Sequence, residues 1–460
     1  MASRGLARTL EIEYRSADCA HAVRCLIRIM PARIGYQSLS VVLCFLIGCA
    51  ASAATFRAAV TKVDITPETS QWLMGYDPRQ STGIHDKIYH RILALDDGKT
   101  RFYLIASDLC LFSPSVYDVV ATRLDREFGI KRENFWWTVT HTHAAPEVGP
   151  PAIYRSLLGR STHEWNRDYE QQVTTALVQG VQQLTAKLEP ARIAIGLGIS
   201  MANINRRAKD VDGTVTLGLN PDGPVDRQIG LMSIGRPDGT PIAIVANYAM
   251  HGTVLSGANL QIGGDAPGVV ESYVEDKIGA PTLYINGAAG NIAPIYSVYP
   301  DPDRGHLSQF RVLLGDQILA ALKSSLGPPV DTVRMHAAEL IVETPAKQGL
   351  SWPAELAAYS KHTSSGRPLL RLPIRVLIVN DALIWSAPVE LFCEIAIAVR
   401  QQSRFAHTFY FGYANGWLGY LPTAQAFAEG GYEPKTSPFT EAVEQDLLTS
   451  VLTYIQGIPR

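Results

Sequence analysis

Two histidines one residue apart, His141-Thr142-His143, are the part of this chain best suited to chemistry. They close the run Phe135-Trp136-Trp137-Thr138-Val139-Thr140-His141-Thr142-His143. In an extended strand side chains alternate, so Trp137, Val139, His141 and His143 share one face and the threonines the other. Two neutral imidazoles on one face make good zinc ligands, and either is equally suited to donating a hydrogen bond to a substrate oxygen. Two ordinary half-buried histidines have the same spacing, because His-x-His is a short motif. Ala144-Ala145-Pro146 cuts the strand and leaves the pair at a carboxyl end, where sites gather in sheets covered by helices.

His251 repeats that placement in Asn247-Tyr248-Ala249-Met250-His251-Gly252-Thr253, just past the apolar run Ile242 to Tyr248. Gly252 permits close backbone approach. Alone His251 reads as a hydrogen-bonded core residue; beside the pair it is a further candidate ligand. Pro388 opens a helix through Val399, so Glu390 falls in its first turn, where the dipole favours the charged carboxylate. On residue type alone Tyr420 reads as a packed aromatic and Arg206-Arg207 as a solvated pair. His85 and Asp265 are read as a strand-connecting histidine and a helix N-cap, outside the catalytic group.

The elements that must position these groups alternate. Phe102 to Ala106 is a strand, Ser115 to Phe128 a helix and Phe135 to His143 a strand. Ile242 to Tyr248 follows as a buried strand, then a helix from Asp265 carrying Val269, Val270, Tyr273 and Val274 inward, then the strand Leu283 to Ile285. Val376 to Val379 and Leu383 to Trp385 flank Asn380-Asp381, a hairpin signal, so the sheets are mixed. The fold class expected is α/β, a single large layered domain over residues 54–460 with mixed β-sheets covered by helices.

Composition fits a large core, with 47% hydrophobic and 18% charged residues among 460. A net charge of −2 gives no electropositive field for phosphates, which excludes nucleic acid as a partner. Nothing in the sequence calls for an obligate protein partner. Cys19, Cys25, Cys44 and Cys49 precede the globular body, leaving Cys110 and Cys393 as expected buried thiols. Residues 1–53 read as an export region whose true start is Met30: Val41 to Gly48 is an apolar run with Arg28 and Arg33 upstream and Ala51-Ser52-Ala53 as a cleavage site. Leu46-Ile47-Gly48-Cys49 also resembles a lipoprotein signal, with Cys49 carrying lipid and tying the protein to a membrane. A periplasmic or secreted location follows in either case.

From about Val60 onward, ordered motifs resemble the catalytic domain of the neutral (alkaline, non-lysosomal) ceramidases. They are Asp64-Ile65-Thr66, Met74-Gly75-Tyr76, Gly83-Ile84-His85, Thr140 to His143, Asn203-Ile204-Asn205-Arg206, Asn247 to Thr253, Pro388-Val389-Glu390, Gly419-Tyr420-Leu421-Pro422-Thr423 and Tyr432-Glu433. The resemblance implies a zinc ion held by His141, His251, Glu390 and Tyr420, with His143 as a catalytic donor and Arg206 binding substrate. It implies hydrolysis of an amide by zinc-activated water, on a ceramide-like or other N-acylated lipid or small molecule. A zinc esterase or amidase on a non-sphingolipid acyl substrate and a non-catalytic envelope lipid-binding protein are the competing readings. Two departures bear on substrate and extent. The family's Gly-Asp-Val-Ser-Pro is here Gly290-Asn291-Ile292-Ala293-Pro294, so Ala293 replaces a serine. The reading also expects no immunoglobulin-like domain after Tyr432-Glu433.

Overall fold

Strands buried on both faces organise the first sheet. It is built from β1 (Arg57–Asp64), β2 (Tyr89–Asp96), β3 (Arg101–Ser107) and β4 (Phe135–Val139), in the order β4-β3-β2-β1, with Glu189–Pro190 at the edge. Along β3, Phe102, Leu104 and Ala106 pack to one side and Tyr103 and Ile105 to the other. The second side is covered by α1 (Pro114–Phe128) and by α3 (Arg167–Thr185); α2 (Ala152–Leu158) lies between them in sequence. The Ser113 hydroxyl caps α1, and Gly129 closes it in the left-handed conformation. The computed structural model describes residues 56–159, 163–297 and 306–458, which belong to a unit running from Ala54 to Arg460. The export region read over residues 1–53 lies outside the described residues.

The middle of the chain supplies β5 (Arg192–Ile199), β6 (Asn203–Lys209), β7 (Val215–Asn220), β8 (Gln228–Gly235), β9 (Pro241–Tyr248), α4 (Asp265–Ile278), β10 (Thr282–Asn286) and β11 (Ile292–Pro294). β10-β9-β8-β5 form a four-stranded sheet and β7-β6-β11 a three-stranded one. Val270 and Val274 of α4 are buried, while Val269 and Tyr273 are half-buried. The last third supplies β12 (Met335–Pro345), β13 (Pro368–Val379), β14 (Ala382–Ser386), β15 (Glu390–Leu391), α5 (Cys393–Gln402), β16 (His407–Phe411), β17 (Tyr420–Leu421) and α6 (Ala442–Gly457). β12-β13-β14-β16 make the third large sheet, with Ser360–His362 pairing β13. The β13–β14 hairpin turns at Asn380, whose φ is +52°.

The three large sheets share one core: Leu104 and Trp136 of the first meet Val245 and Ile285 of the second and Ile384 and Phe409 of the third. Helices cover the remaining faces, so the protein is a layered α/β fold with mixed sheets. Cys110 and Cys393 are buried and free.

Each large sheet contains one parallel pair: β3–β4, β9–β10 and β14–β16. Two strands that run together end together, and the chain beyond each such end carries candidate residues. Cys110 and His141 follow β3 and β4, His251 follows β9, and Glu390 and Tyr420 follow β14 and β16. Carboxyl ends of parallel strands are the usual place for sites in such folds.

Three local expectations are corrected. The strand expected through His143 ends at Val139, because the backbone N–H groups of Thr140 and His141 donate to Ser107 and Leu109 and His141 turns with φ +65°. Glu390 is not in a helix: Pro388 accepts from Leu418 N–H and Glu390 N–H donates to Gly419, which holds this buried run extended, and α5 begins only at Cys393. Asp265 is the first residue of α4 rather than its N-cap; its carboxylate accepts from the N–H groups of Val254, Leu255 and Ala266, which ties the loop after His251 to the helix.

Candidate metal centre

The two histidine loops are laced together. Gly252 N–H donates to His141 O at 3.2 Å and His143 N–H to Gly252 O at 2.8 Å. A Cβ on Gly252 would lie 2.7 Å from both His141 O and Thr142 Cα, so only glycine permits this approach.

Within that frame each ligand-type ring is fixed through its other nitrogen. His141 Nδ1 donates to Cys110 O at 3.0 Å and His251 Nδ1 to Ile292 O at 2.9 Å. A neutral ring that donates from Nδ1 carries its lone pair on Nε2. Burial first, then the charge of Arg206, pushes the His251 pKa down to about 3, so that ring is neutral. Both Nε2 atoms face Glu390 Oε2, at 3.4 Å from His141 and 3.1 Å from His251. Burial opposes charge on Glu390, and a carboxyl held well below the usual range there requires positive charge at the facing His141 and His251 nitrogens. Two lone pairs aimed at an ionised carboxylate repel it unless positive charge lies among them. Two imidazoles and a carboxylate, all buried, are a donor set that suits zinc.

The carboxylate is aimed by groups that residue type alone did not reveal. Trp417 Nε1 donates to Glu390 Oε1 at 3.0 Å and the Tyr413 hydroxyl to Oε2 at 3.4 Å, while the Tyr413 ring stacks on His141 at 4.1 Å. Trp417 stands in Asn415-Gly416-Trp417-Leu418-Gly419, where the paired glycines were the available signal of a tight, site-forming loop. Glu390 and Tyr420 are register partners across β15 and β17.

Arg206, read from type as solvated, is buried, as is Arg207. Its NH1 lies 2.9 Å from His251 Nε2, its NH2 donates to the Tyr420 hydroxyl at 3.1 Å, and its Nε to Glu433 at 2.9 Å. Against the cost of burial, Tyr420 and Glu433 hold Arg206 charged. It supplies part of the positive charge that the lone pairs and the carboxylate require. Burial, then Glu390, pushes the Tyr420 phenol up.

His143 stands outside the candidate trio of His141, His251 and Glu390, and with Cys110 and His141 it forms a second buried group close enough to share an ion. Its Nε2 is 3.2 Å from His141 Nε2, and its buried Nδ1 has no hydrogen-bond partner. Burial, reinforced by His141 and His251, lowers its pKa and keeps it neutral. Gly75, at φ +103°, lies flat against the ring where any side chain would collide.

His141, His143, Arg206, Glu390 and Tyr420 line a cavity of about 260 Å³. Tyr76, Leu111, Tyr154, Leu158 and Leu217 give it apolar walls, and Ala293 lines it as well. Thr253 and Ser297, hydroxyls 2.6 Å apart, add a polar edge. A larger open hollow of about 870 Å³ beside Arg334 and Arg404 shares none of these residues.

Comparison with known proteins bears on family and fold. A neutral ceramidase of Pseudomonas aeruginosa is 26% identical over 263 residues, covering 53% of this chain and 38% of that protein. A neutral ceramidase of Mycobacterium tuberculosis is 27% identical over 254 residues, covering 52% and 38%. The chain thus spans 38% of the length of each relative. The crystal structure of the Pseudomonas aeruginosa neutral ceramidase superimposes with a TM-score of 0.72 at 18% identity, over 88% of this chain and 75% of that one, which establishes a shared fold. The profile of the neutral/alkaline non-lysosomal ceramidase N-terminal region matches residues 56–295, a stretch that includes His141, His143, Arg206 and His251 while Glu390 and Tyr420 lie beyond it. With more than half of its length matched and that fold around its paired histidines, the chain belongs to the neutral/alkaline non-lysosomal ceramidase family.

Proposed function

We propose that this protein is a zinc-dependent hydrolase that cleaves the N-acyl bond of a ceramide-like or other N-acylated lipid. The observation that carries the reading is the meeting of two imidazole lone pairs and a carboxylate beside a cavity with apolar walls. In this reading His141, His251 and Glu390 hold the zinc, with the Tyr420 phenol as a weak further ligand. When bound, zinc supplies Lewis acidity toward an acyl oxygen and lowers the pKa of a water toward neutrality.

The chain's own residues do the rest. Trp417 and Tyr413 fix the Glu390 carboxylate, and the carbonyls of Cys110 and Ile292 fix the tautomers of His141 and His251. Neutral His143, with its proton on Nε2, donates to the amide oxygen as negative charge builds there once the His141 lone pair is engaged. The NH1 of Arg206, which meets the His251 lone pair here, turns toward substrate when that lone pair is taken up. Tyr76, Tyr154 and Leu158 keep bulk water from the reacting bond. Hydrolysis then adds the hydroxyl of water to the acyl carbon and a proton to the departing amine.

Ala293 supports a preference among substrates. A methyl group at this wall leaves a sphingoid primary hydroxyl without a partner there, which favours N-acyl compounds that lack it. We also propose export, with a mature chain that begins at Ala54 or at a lipid-bearing Cys49; mass spectrometry finding Met1 on a cytoplasmic protein would refute it.

The decisive experiment combines metal analysis with hydrolysis of a panel of N-acyl amines and matching esters, scored by fatty-acid release. The expected result is close to one zinc per chain, lost in His141→Ala and in His251→Ala, with amides cleaved. Unchanged zinc in both variants removes the site, and cleavage of esters alone removes the amidase. In Ala293→Ser the kcat/KM ratio of ceramide to a hydroxyl-free amide should rise several-fold, about 1 kcal/mol.

A further inference from the structure

A buried guanidinium keeps its proton, so it is costly unless a carboxylate meets it. Arg79 is 9% exposed and pairs with no carboxylate among the described residues; the ionisable neighbours that act on its charge are Tyr76, Cys110 and Tyr154, two phenols and a thiol rather than an acid. Every other buried arginine among the described residues has its acid. Arg91 meets Asp108, Glu271 and Glu275, Arg206 and Arg207 meet Glu433, and Arg375 meets Glu339.

A short hairpin places this unpaired charge. Arg79 lies across from Leu73, and the loop between their two short strands carries Gly75 and Tyr76. Main chain and a ring hold the guanidinium: Nε donates to Asn259 O at 3.1 Å, NH2 donates to His143 O, and Cζ lies 4.8 Å from the centre of the Tyr76 ring. NH1 is buried without a hydrogen-bond partner. Tyr76 and His143 line the cavity, their rings edge-on to each other at 4.9 Å. The charge therefore stands behind the wall that these two residues form.

Attack on an acyl carbon moves an electron pair onto the acyl oxygen. A cation already fixed nearby stabilises that oxygen without having to reorganise, and a buried one is little screened by salt. Arg206 carries its charge against Glu433, which offsets it; Arg79 has no such offset. We propose that Arg79 is a positioning residue that holds His143 by its carbonyl and whose unpaired charge stabilises the acyl oxygen as it turns negative. This rests on the N-acyl hydrolase reading.

The test uses the zinc-loaded protein and the hexanoyl amide of a fluorogenic amine, with zinc content and folding checked in each variant. Arg79→Gln, which keeps hydrogen-bond donors and loses the charge, is expected to bind zinc, hold KM within about twofold and lose kcat roughly tenfold or more. Arg79→Lys, which keeps the charge, should recover most of that loss. Equal losses of kcat in Arg79→Gln and Arg79→Lys would leave Arg79 a mere clamp and overturn the proposal, as would a loss confined to KM or an unchanged kcat in Arg79→Gln. A second measurement needs no turnover: NMR titration with hexanoate and with hexanamide, whose head groups differ in charge. The preference for hexanoate should fall roughly tenfold in Arg79→Gln and survive in Arg79→Lys. If Arg79→Gln does not fold, Asn259→Asp decides, because it sets a carboxylate on the residue whose carbonyl accepts from Arg79 and leaves Arg79 in place. It should lower both kcat and the hexanoate preference severalfold, and no change in either refutes the charge. If no amide is cleaved, the hydrolase reading falls by itself, and a hexanoate preference equal in wild type, Arg79→Gln and Asn259→Asp refutes the role of Arg79 separately.

Discussion

His143 is held by packing rather than by ligands: Gly75 lies against its ring, Tyr76 meets it edge-on at 4.9 Å, and its Nδ1 is unpartnered. A group proposed to donate in the transition state should be separable from metal binding. His143→Ala is expected to keep its zinc and lose about 10²–10³-fold in kcat. Metal analysis beside steady-state kinetics checks this, and zinc lost from the variant would make His143 a ligand. The meeting of the histidines was legible in the sequence because a short motif just past one strand is matched by His251 just past another. Trp417 and Tyr413 were not, since their bonds to Glu390 span 27 and 23 residues and no local pattern records such a contact. Arg206 was misread from type alone because Glu433, which neutralises it, lies 227 residues away.

Periodicity located β3, β9, β10 and the β13–β14 hairpin, since each is an apolar run bounded by turn residues. It failed at Glu390, where proline followed by apolar residues reads as a helix start until the chain at Gly419 claims the backbone N–H. Elements also carry two tests. Gly252→Ala forces the loops after β4 and β9 apart; the expected loss is about 1–3 kcal/mol of stability together with most of the zinc affinity, read by denaturation and metal titration. On β2, His90 meets Ser107 at 2.6 Å and donates to Val173 O of α3 at 3.0 Å. Burial pushes its pKa from 6.5 down to about 4. Between those values the unfolded chain binds the extra proton, so stability rises with pH and is lost as pH falls from 6.5 toward 4. The loss attributable to His90 is up to about 3 kcal/mol, and His90→Gln should show a correspondingly shallower acid slope in urea titrations.

The layered α/β class could be read from the alternation of short strands and amphipathic helices, but not the meeting of three sheets, because a core that gathers Leu104, Ile285 and Phe409 into one cluster carries no local signature. That junction makes the proposed metal site a property of the whole protein. A ligand bound by the native state alone stabilises it in proportion to the logarithm of its concentration. Chelation should therefore lower Tm by roughly 5 °C, and Tm should climb with added zinc; a Tm indifferent to both would place the metal elsewhere. The meeting of parallel pairs from all three sheets also sets a timetable for biosynthesis. His141 and His251 leave the ribosome well before Glu390, and Tyr420 follows later still. A nascent chain thus presents two imidazoles without their carboxylate, a poor claim on zinc, until nearly the entire polypeptide has been made. On the proposed reading, zinc arrives as a final event in maturation, after folding rather than as its nucleus, and a chain interrupted before residue 390 lacks the carboxylate of the proposed site.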